Sequence, residues 1–258
     1  MRDEVDIPEQ AQAVLAILQT EADMPLAGLY LHGSAVAGGL RPHSDLDLLA
    51  VVDRPPEAPA RRRLLEALLG ISAPYPAPVG GPRCLELMVF DRSALARLSA
   101  AMESTFVYGE WLREAFEAGD VPQPLADPEH TLVLAQAHRQ AVPIAGPTAT
   151  DLLPEIGIAQ VREAMRRLLP GLVEGLDGDA RNVVLTLARM WWTAGTGAFL
   201  SKDEAAEKAA AAFGGSTGEV LRAARHAYLG LAGDAELGPP ALLREVAGHL
   251  SREIETRL

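Results

Sequence analysis

The distribution of short apolar runs along the chain limits its fold more than any other feature. Between about Leu26 and Phe90 such runs alternate with helical patterns, whereas after about Pro128 only helical spacing remains. Short apolar runs bounded by turn residues indicate buried strands, and apolar residues every three or four positions indicate helices. We therefore expect an α+β N-terminal domain with a small mixed sheet, residues 1–156, followed by an all-α helical bundle, residues 157–258.

The predicted elements follow this division. Strands are expected at Leu26 to His32, Leu46 to Val52 and Leu85 to Phe90. Helices are expected at 8–20, 61–69, 129–140, 158–169, 180–200, 202–213, 218–231 and 241–258. Ser201 with Glu204, and Ser216 with Glu219, have the spacing of helix capping boxes. The segment from Val142 to Gly157, which carries proline and glycine, is predicted to be the linker between the domains.

Composition narrows the class of protein. The chain has 35 acidic against 23 basic residues and a formal charge of -12, and only two of the basic residues are lysines. This balance disfavours a nucleic-acid partner, which requires clustered cations, and favours cationic small molecules. A lone cysteine, Cys84, excludes an internal disulfide and fits a reducing compartment. With no apolar run of membrane-spanning length, we expect a cytoplasmic monomer without a membrane partner.

The segment from Leu31 to Leu49 carries the chemistry. Gly33 and Ser34 follow the first predicted strand, and Asp45 and Asp47 enter the second. Because strand side chains alternate between faces, the two carboxylates project to one face, an arrangement that a divalent cation stabilises. Gly33 permits close approach of phosphates, and Ser34 offers a hydroxyl and an amide to an anion. Carboxylates for a metal beside donors for phosphates predict a nucleoside-triphosphate site for phosphoryl or nucleotidyl transfer.

Simpler interpretations exist for each part of this pattern. Gly-Ser is also an ordinary turn, and Asp-x-Asp an ordinary solvated strand start, although their combination between two strands is far more specific. Glu86 is the sole ionisable residue inside the third predicted strand, which indicates either a metal-binding or catalytic role or an exposed position on an edge strand. Trp111 follows Gly-Glu in a turn and is a candidate for contact with a sugar-like ring. His32 and Cys84 are predicted to be structural.

The motifs resemble one known family. GSAVAGGLRPHSDLDLL at 33–49, YGEW at 108–111, GDARNVVLTLAR at 178–189 and AYLG at 227–230 look like the aminoglycoside (3'')(9) adenylyltransferases, a branch of the polymerase-β-like nucleotidyltransferases. The matches run in order along nearly the whole chain. The resemblance implies a nucleotidyltransferase N-domain and a helical C-domain that complete a cleft for ATP and drug. It also implies transfer of AMP to a hydroxyl of spectinomycin, and of streptomycin in some members, with release of pyrophosphate.

The resemblance also assigns roles to individual residues. Ser34, Ser44, Asp45 and Asp47 would hold Mg²⁺ and the triphosphate, with Asp45 and Asp47 as the metal ligands, and Glu86 would be the catalytic base. Arg189, Lys202 and Tyr228 would contact the nucleotide. Trp111 and Asp179 would line the drug side together with Glu86.

Without the resemblance, Arg189 and Lys202 would be interpreted as surface charges. Trp191 and Trp192 fit a helix core better than a stacking platform.

Drug preference and the class of acceptor remain open at this level. Members that modify streptomycin carry a Trp and an Asp shortly before the Gly-Asp-x-Arg-Asn motif, whereas the corresponding segment here, 169–178, contains no Trp. We therefore expect spectinomycin to be preferred. Two alternatives remain: a nucleotidyltransferase acting on another acceptor such as a protein, and a non-catalytic nucleotide-binding or antitoxin-like module.

Overall fold

The computed structural model describes residues 6–21, 24–42, 44–78 and 80–258. His43, within the Gly-Ser to Asp-x-Asp segment, therefore lies outside the described residues. The chain divides into two compact units, Met1–Ile156 and Gly157–Leu258. Strands occur in the first unit: β1 Leu26–Leu31, β2 Leu46–Val52, β3 Leu85–Asp91, β4 Met102–Ser104, β5 Phe106–Gly109, β6 Leu125–Asp127 and β7 Val142–Ala145. The expected α+β class is confirmed.

The α-helices are interspersed among the strands in the first unit and follow one another without strands in the second. The first unit contains α1 Glu9–Thr20, α2 Ala58–Ile71, α3 Arg92–Leu95, α4 Arg113–Glu117, α5 Pro128–Gln140 and α6 Ala149–Leu152. The second contains α7 Ile158–Glu174, α8 Ala180–Thr196, α9 Lys202–Phe213, α10 Gly215–Tyr228 and α11 Pro240–Glu255. No helix in the described part of the chain is both long and apolar enough to cross a bilayer.

The main sheet is small and mixed, with the order β5-β3-β2-β1-β7. Strands β2 and β3 are parallel, and the other neighbours are antiparallel. One face packs against α1 and α2, where Val14, Leu18, Leu64 and Leu68 are almost completely buried. Burial of each such side chain contributes about 2 kcal/mol to the free energy of folding. The opposite face carries the polar residues at the start of β2 and β3.

The prediction that the segment from Val142 to Gly157 is a linker is wrong for its first four residues. Val142–Ala145 is not a linker but strand β7, which pairs antiparallel with β1 at the edge of the sheet. Pro143 lies opposite Tyr30 in this pairing, and proline is tolerated there because an edge strand has one unpaired side. With four residues that include a proline, β7 has no apolar alternation from which a strand could be predicted. Strands β4, β5 and β6, which have three or four residues each, are likewise too short to show an alternation from which they could be predicted.

The helix boundaries agree only in part with those predicted from local sequence signals. The capping box of Ser201 and Glu204 is confirmed, and α9 has the predicted bounds. The second predicted box is wrong, because α10 begins at Gly215 and Ser216 lies in its first turn. Helix α7 passes through Pro170 and ends at Glu174, five residues after its predicted end. Tertiary packing thus overrides the helix-breaking preference of proline at this position.

Candidate active site

The pairing register brings the predicted carboxylates together. Asp47 on β2 lies opposite Glu86 on β3, and Glu86 lies opposite Gly109 on β5. Residues paired in this way share a face of the sheet, and neighbouring strands are about 4.8 Å apart. Asp45 precedes β2 and, by strand alternation, belongs to the same face. The three acidic residues, each partly buried, therefore lie at the same end of the sheet.

The turn after β1 supports Asp47 directly. The His32 N–H donates to the Asp47 carbonyl at 3.1 Å. Gly33 has φ +63°, and a Cβ at this position would lie 1.7 Å from Asp47 Oδ2. Only glycine therefore allows the carboxylate to rest against the backbone here. The next residue, Ser34, has a buried hydroxyl to which no group in the described part of the chain hydrogen-bonds, so a ligand oxygen can take that place.

Replacing Gly33 with alanine is expected to reduce turnover by about a hundredfold, since the methyl group displaces Asp47, and an error of about 1 Å in an active site has an effect of this size. The matched control is Gly119→Ala. Gly119 also has positive φ, +106°, but a Cβ there meets nothing within 4 Å. Steady-state kinetics of both variants measure the difference. Retention of more than about a third of wild-type turnover by Gly33→Ala would contradict the close contact with Asp47.

The loop before Asp45 is held by hydrogen bonds that sequence reasoning missed. The Ser44 hydroxyl accepts from the Arg41 N–H at 3.2 Å, so it closes a turn in addition to any role toward phosphate. One Arg83 guanidinium nitrogen donates to the carbonyls of both Arg41 and Ser44, each at 2.8 Å. The Gln10 side chain in turn bonds the Arg83 backbone on both sides. No local pattern signals the contacts of Arg83, because they join residues 39 to 73 positions apart.

Trp111 lies at the other side of the carboxylate row. A Cβ on Gly109 would be 2.2 Å from the indole ring, so the ring packs directly on the glycine that pairs with Glu86. Trp111 is nevertheless 60% exposed. An exposed aromatic face beside a carboxylate is suited to an amphipathic ring with a cationic substituent.

His32 and Cys84 are buried, as expected for structural residues. Burial, followed by the nearby charges of Asp45 and Glu110, raises the pKa of the Cys84 thiol to about 11. Cys84 therefore stays protonated at neutral pH and is a poor nucleophile or metal ligand.

In the second unit, several predicted residues gather around the start of α8. Asp179 caps this helix by accepting from the Asn182 N–H at 3.3 Å. The Asn182 side chain accepts a hydrogen bond from the Lys202 ammonium group, which lies 5.9 Å from the centroid of the Tyr228 ring. Sequence reasoning did not single out Asn182, although it lies inside the GDARN motif.

Arg189 lies two helical turns beyond Asn182 on α8, on the same side of the helix. Trp191 and Trp192, predicted to lie in a helix core, are half-buried: the Trp191 ring centroid lies 5.0 Å from that of Phe213, and the Lys208 ammonium group lies 5.0 Å from the centroid of the Trp192 ring.

The donor set limits what metal could bind. Among residues 6–21, 24–42, 44–78 and 80–258, no three His, Cys, Asp or Glu side chains are arranged to hold one metal ion. Asp45 and Asp47 supply two carboxylates. Mg²⁺ is commonly bound by one or two carboxylates, with substrate phosphates and water completing its shell. The chemistry of these donors fits a metal that arrives with a nucleotide.

A mixed sheet with Gly-Ser at the end of one strand and carboxylates on the next two defines a nucleotidyltransferase. A nucleotidyltransferase domain model matches residues 12–77. A second family model, described as aminoglycoside adenylyltransferase, C-terminal domain, matches residues 151–253.

Proteins that match nearly the whole length of the chain narrow the assignment from nucleotidyltransferases in general to one family. A spectinomycin 9-adenylyltransferase of Staphylococcus aureus is 38% identical over 252 residues, which cover 98% of this chain and 96% of that protein. An aminoglycoside (3'') (9) adenylyltransferase of Escherichia coli is 31% identical over 251 residues, 96% of this chain and 95% of that one. The crystal structure of spectinomycin adenyltransferase AAD(9) from Enterococcus faecialis with ATP and spectinomycin has a TM-score of 0.88 and 30% identity, and the match covers 96% of this chain and 98% of that chain.

The chain therefore belongs to the aminoglycoside adenylyltransferase family and is an enzyme of that family. The resemblance inferred from the motifs is confirmed.

Proposed function

We propose that this enzyme transfers AMP from ATP to a hydroxyl of spectinomycin and releases pyrophosphate. The observation that carries the proposal is the row of Asp47, Glu86 and Gly109 across three strands, with Trp111 packed on the last of them. The relatives named for spectinomycin adenylylation, and the similar structure that contains ATP and spectinomycin, support this acceptor.

Asp45 and Asp47 would hold Mg²⁺, which when bound offsets the charge of the triphosphate. The buried Ser34 hydroxyl donates to a phosphate oxygen. The Ser44 hydroxyl, whose oxygen already accepts from Arg41, retains its proton for the same purpose. From the second unit, Arg189 and Lys202 offset phosphate charge and Tyr228 contacts the nucleotide, roles that rest on the family relationship.

Glu86 acts as the general base. The acceptor oxygen attacks the α-phosphorus, its proton moves to the Glu86 carboxylate, and the bond to the pyrophosphate oxygen breaks. Trp111 covers the face of the acceptor ring, and Asp179 pairs with a cationic substituent of the acceptor. We assign the reaction to the monomer. Because ATP is a cytoplasmic co-substrate, we assign the reaction to the cytoplasm.

The direct test incubates the purified chain with ATP and Mg²⁺ against a panel of aminoglycosides. We expect pyrophosphate release that depends on spectinomycin, together with a product heavier by one adenylyl group. Pyrophosphate release without any acceptor, or an adenylylated protein in place of the drug, would contradict the proposal.

Spectinomycin is expected to have a specificity constant at least about tenfold above that of streptomycin, which corresponds to about 1.4 kcal/mol. Streptomycin is longer and carries two guanidinium groups, which need additional carboxylate and aromatic surface. Segment 169–178 offers no aromatic residue, and its Asp177 is paired with Arg244 at 2.9 Å. Purified kinetics with both drugs, and resistance conferred on a susceptible host, measure the ratio. Equal turnover of streptomycin would show that another residue supplies the missing contacts.

A further inference from the structure

A buried hydrogen-bond network lies on the opposite face of the β3–β5 pair from the carboxylate row. Its centre is Glu110, which directly follows Gly109 and has a side chain only 5% exposed. The carboxylate accepts from the Arg113 Nε at 2.5 Å and from the Tyr108 hydroxyl at 2.7 Å. It also accepts from the Ser72 hydroxyl. One carboxylate thus gathers side chains from β5, from the residue after α2 and from the start of α4.

The network ends at the backbone of β3, the strand that carries Glu86. The Ser72 oxygen that donates to Glu110 also accepts from the Leu85 N–H at 3.0 Å, and Leu85 precedes Glu86. A second Arg113 nitrogen donates to the Ser72 carbonyl at 3.1 Å. At its other end, Glu110 opens the short turn Glu110–Leu112, whose central residue is Trp111. The two candidate substrate-facing residues, Glu86 and Trp111, are therefore each one residue away from this network.

Stability alone does not account for an ion pair in this place. Removing a carboxylate and a guanidinium from water is costly, and well-packed apolar residues are often equally stabilising. Burial by itself raises the pKa of Glu110, but hydrogen bonds from Arg113, Ser72 and Tyr108 outweigh it and leave the pKa below its usual value. The carboxylate is therefore charged at neutral pH and bound from three directions, which restricts its geometry closely.

We propose that Glu110 is a positioning residue for adenylyl transfer: through Ser72 it fixes the backbone at Glu86, and through its own turn it fixes the Trp111 ring. This inference rests on the proposed function, because it presumes that Glu86 and Trp111 face the acceptor. The two connections leave Glu110 by separate routes, so they can be broken separately.

Two substitutions separate the routes. Glu110→Gln removes the ion pair and is expected to lower kcat by about ten- to a hundredfold, the range for small misplacements of reacting groups, with KM for ATP within about threefold. Ser72→Ala removes the hydroxyl that joins Glu110 to Leu85, leaves the Tyr108 and Arg113 bonds to Glu110 in place, and is expected to lower kcat by about tenfold. The matched controls are Glu163→Gln, an exposed carboxylate that also binds two arginines, and Ser104→Ala, a buried serine on β4.

A spectroscopic measurement reports on Trp111 without catalysis. The chain has three tryptophans, so a Trp191→Phe, Trp192→Phe background leaves Trp111 as the single tryptophan, whose emission is recorded with excitation that tyrosine does not absorb. In that background Glu110→Gln is expected to lower the fluorescence anisotropy of Trp111, whereas Ser72→Ala and both controls leave it unchanged. A general loss of stability would instead lower the melting temperature in proportion to the loss of kcat and would leave the anisotropy of the folded protein unaltered.

The outcomes are decisive in each direction. A folded Glu110→Gln variant with wild-type kcat, or with wild-type Trp111 anisotropy, overturns the inference. Should this variant fail to fold, Ser72→Ala decides it, because wild-type kcat in that variant removes the link to Glu86. If the wild-type chain adenylylates no spectinomycin, the proposed function fails, and the anisotropy measurement still decides whether Glu110 holds Trp111.

Discussion

Asp47→Asn is expected to reduce adenylyl transfer by about a thousandfold or more while leaving the fold intact. Asparagine keeps the volume of the side chain that packs against Gly33 but removes one negative charge from the site assigned to Mg²⁺. Interactions that offset charge in the transition state commonly contribute two to three orders of magnitude or more to the rate. Pyrophosphate release with saturating spectinomycin gives the rate, and a titration of Mg²⁺ at fixed ATP gives the metal dependence of nucleotide binding.

The control for this variant is Asp53→Asn. Asp53 directly follows the other end of β2, and its carboxylate pairs with Arg92 at 3.0 Å on the surface. This variant should keep wild-type turnover and an unchanged Mg²⁺ requirement. If Asp47→Asn formed product within about tenfold of the wild-type rate, the assignment of Asp47 as a metal ligand would be wrong.

Glu86→Gln is expected to lower turnover by about a hundredfold or more, the usual range for the loss of a general base. Glutamine keeps the size and hydrogen-bonding reach of the side chain opposite Asp47 but cannot take the proton of the acceptor hydroxyl. Binding of ATP with Mg²⁺ should therefore survive. Calorimetric titration of ATP, together with kcat measured for spectinomycin, distinguishes these two effects.

The matched control is Glu103→Gln, which replaces an exposed carboxylate on β4. This variant should keep wild-type turnover and wild-type affinity for ATP. A Glu86→Gln variant that loses affinity for Mg²⁺ and ATP together would make Glu86 a third metal ligand rather than the base. Unchanged turnover would exclude both roles.

Some of the site could be predicted because its signals are local. The apolar run of β2 and the alternation of Asp45 and Asp47 depend on residues within a few positions of each other. The capping box of Ser201 and Glu204 is formed inside one helical turn. Such short-range patterns depend on backbone geometry that every chain shares, so the strand, the helix start and the facing of the carboxylates follow without tertiary information.

Other parts of the site depend on pairs of residues far apart in the chain. Glu86 was predicted to be functional or merely exposed, and only the parallel register that places it opposite Asp47 gives it a neighbouring carboxylate. The bonds from Arg83 to the loop before Asp45, and from Ser72 to Leu85 and Glu110, join segments whose approach is decided by how α1, α2 and the sheet pack.

The sequence by itself therefore determined the α+β class, the Gly-Ser and Asp-x-Asp motif and the family. The tertiary structure alone decided the register of β2, β3 and β5, the place of β7 at the sheet edge, and the packing of Trp111 on Gly109. The physical reason is that strand register and side-chain networks minimise the free energy of the whole unit. Burial and hydrogen bonding between distant residues contribute there as much as local propensity does.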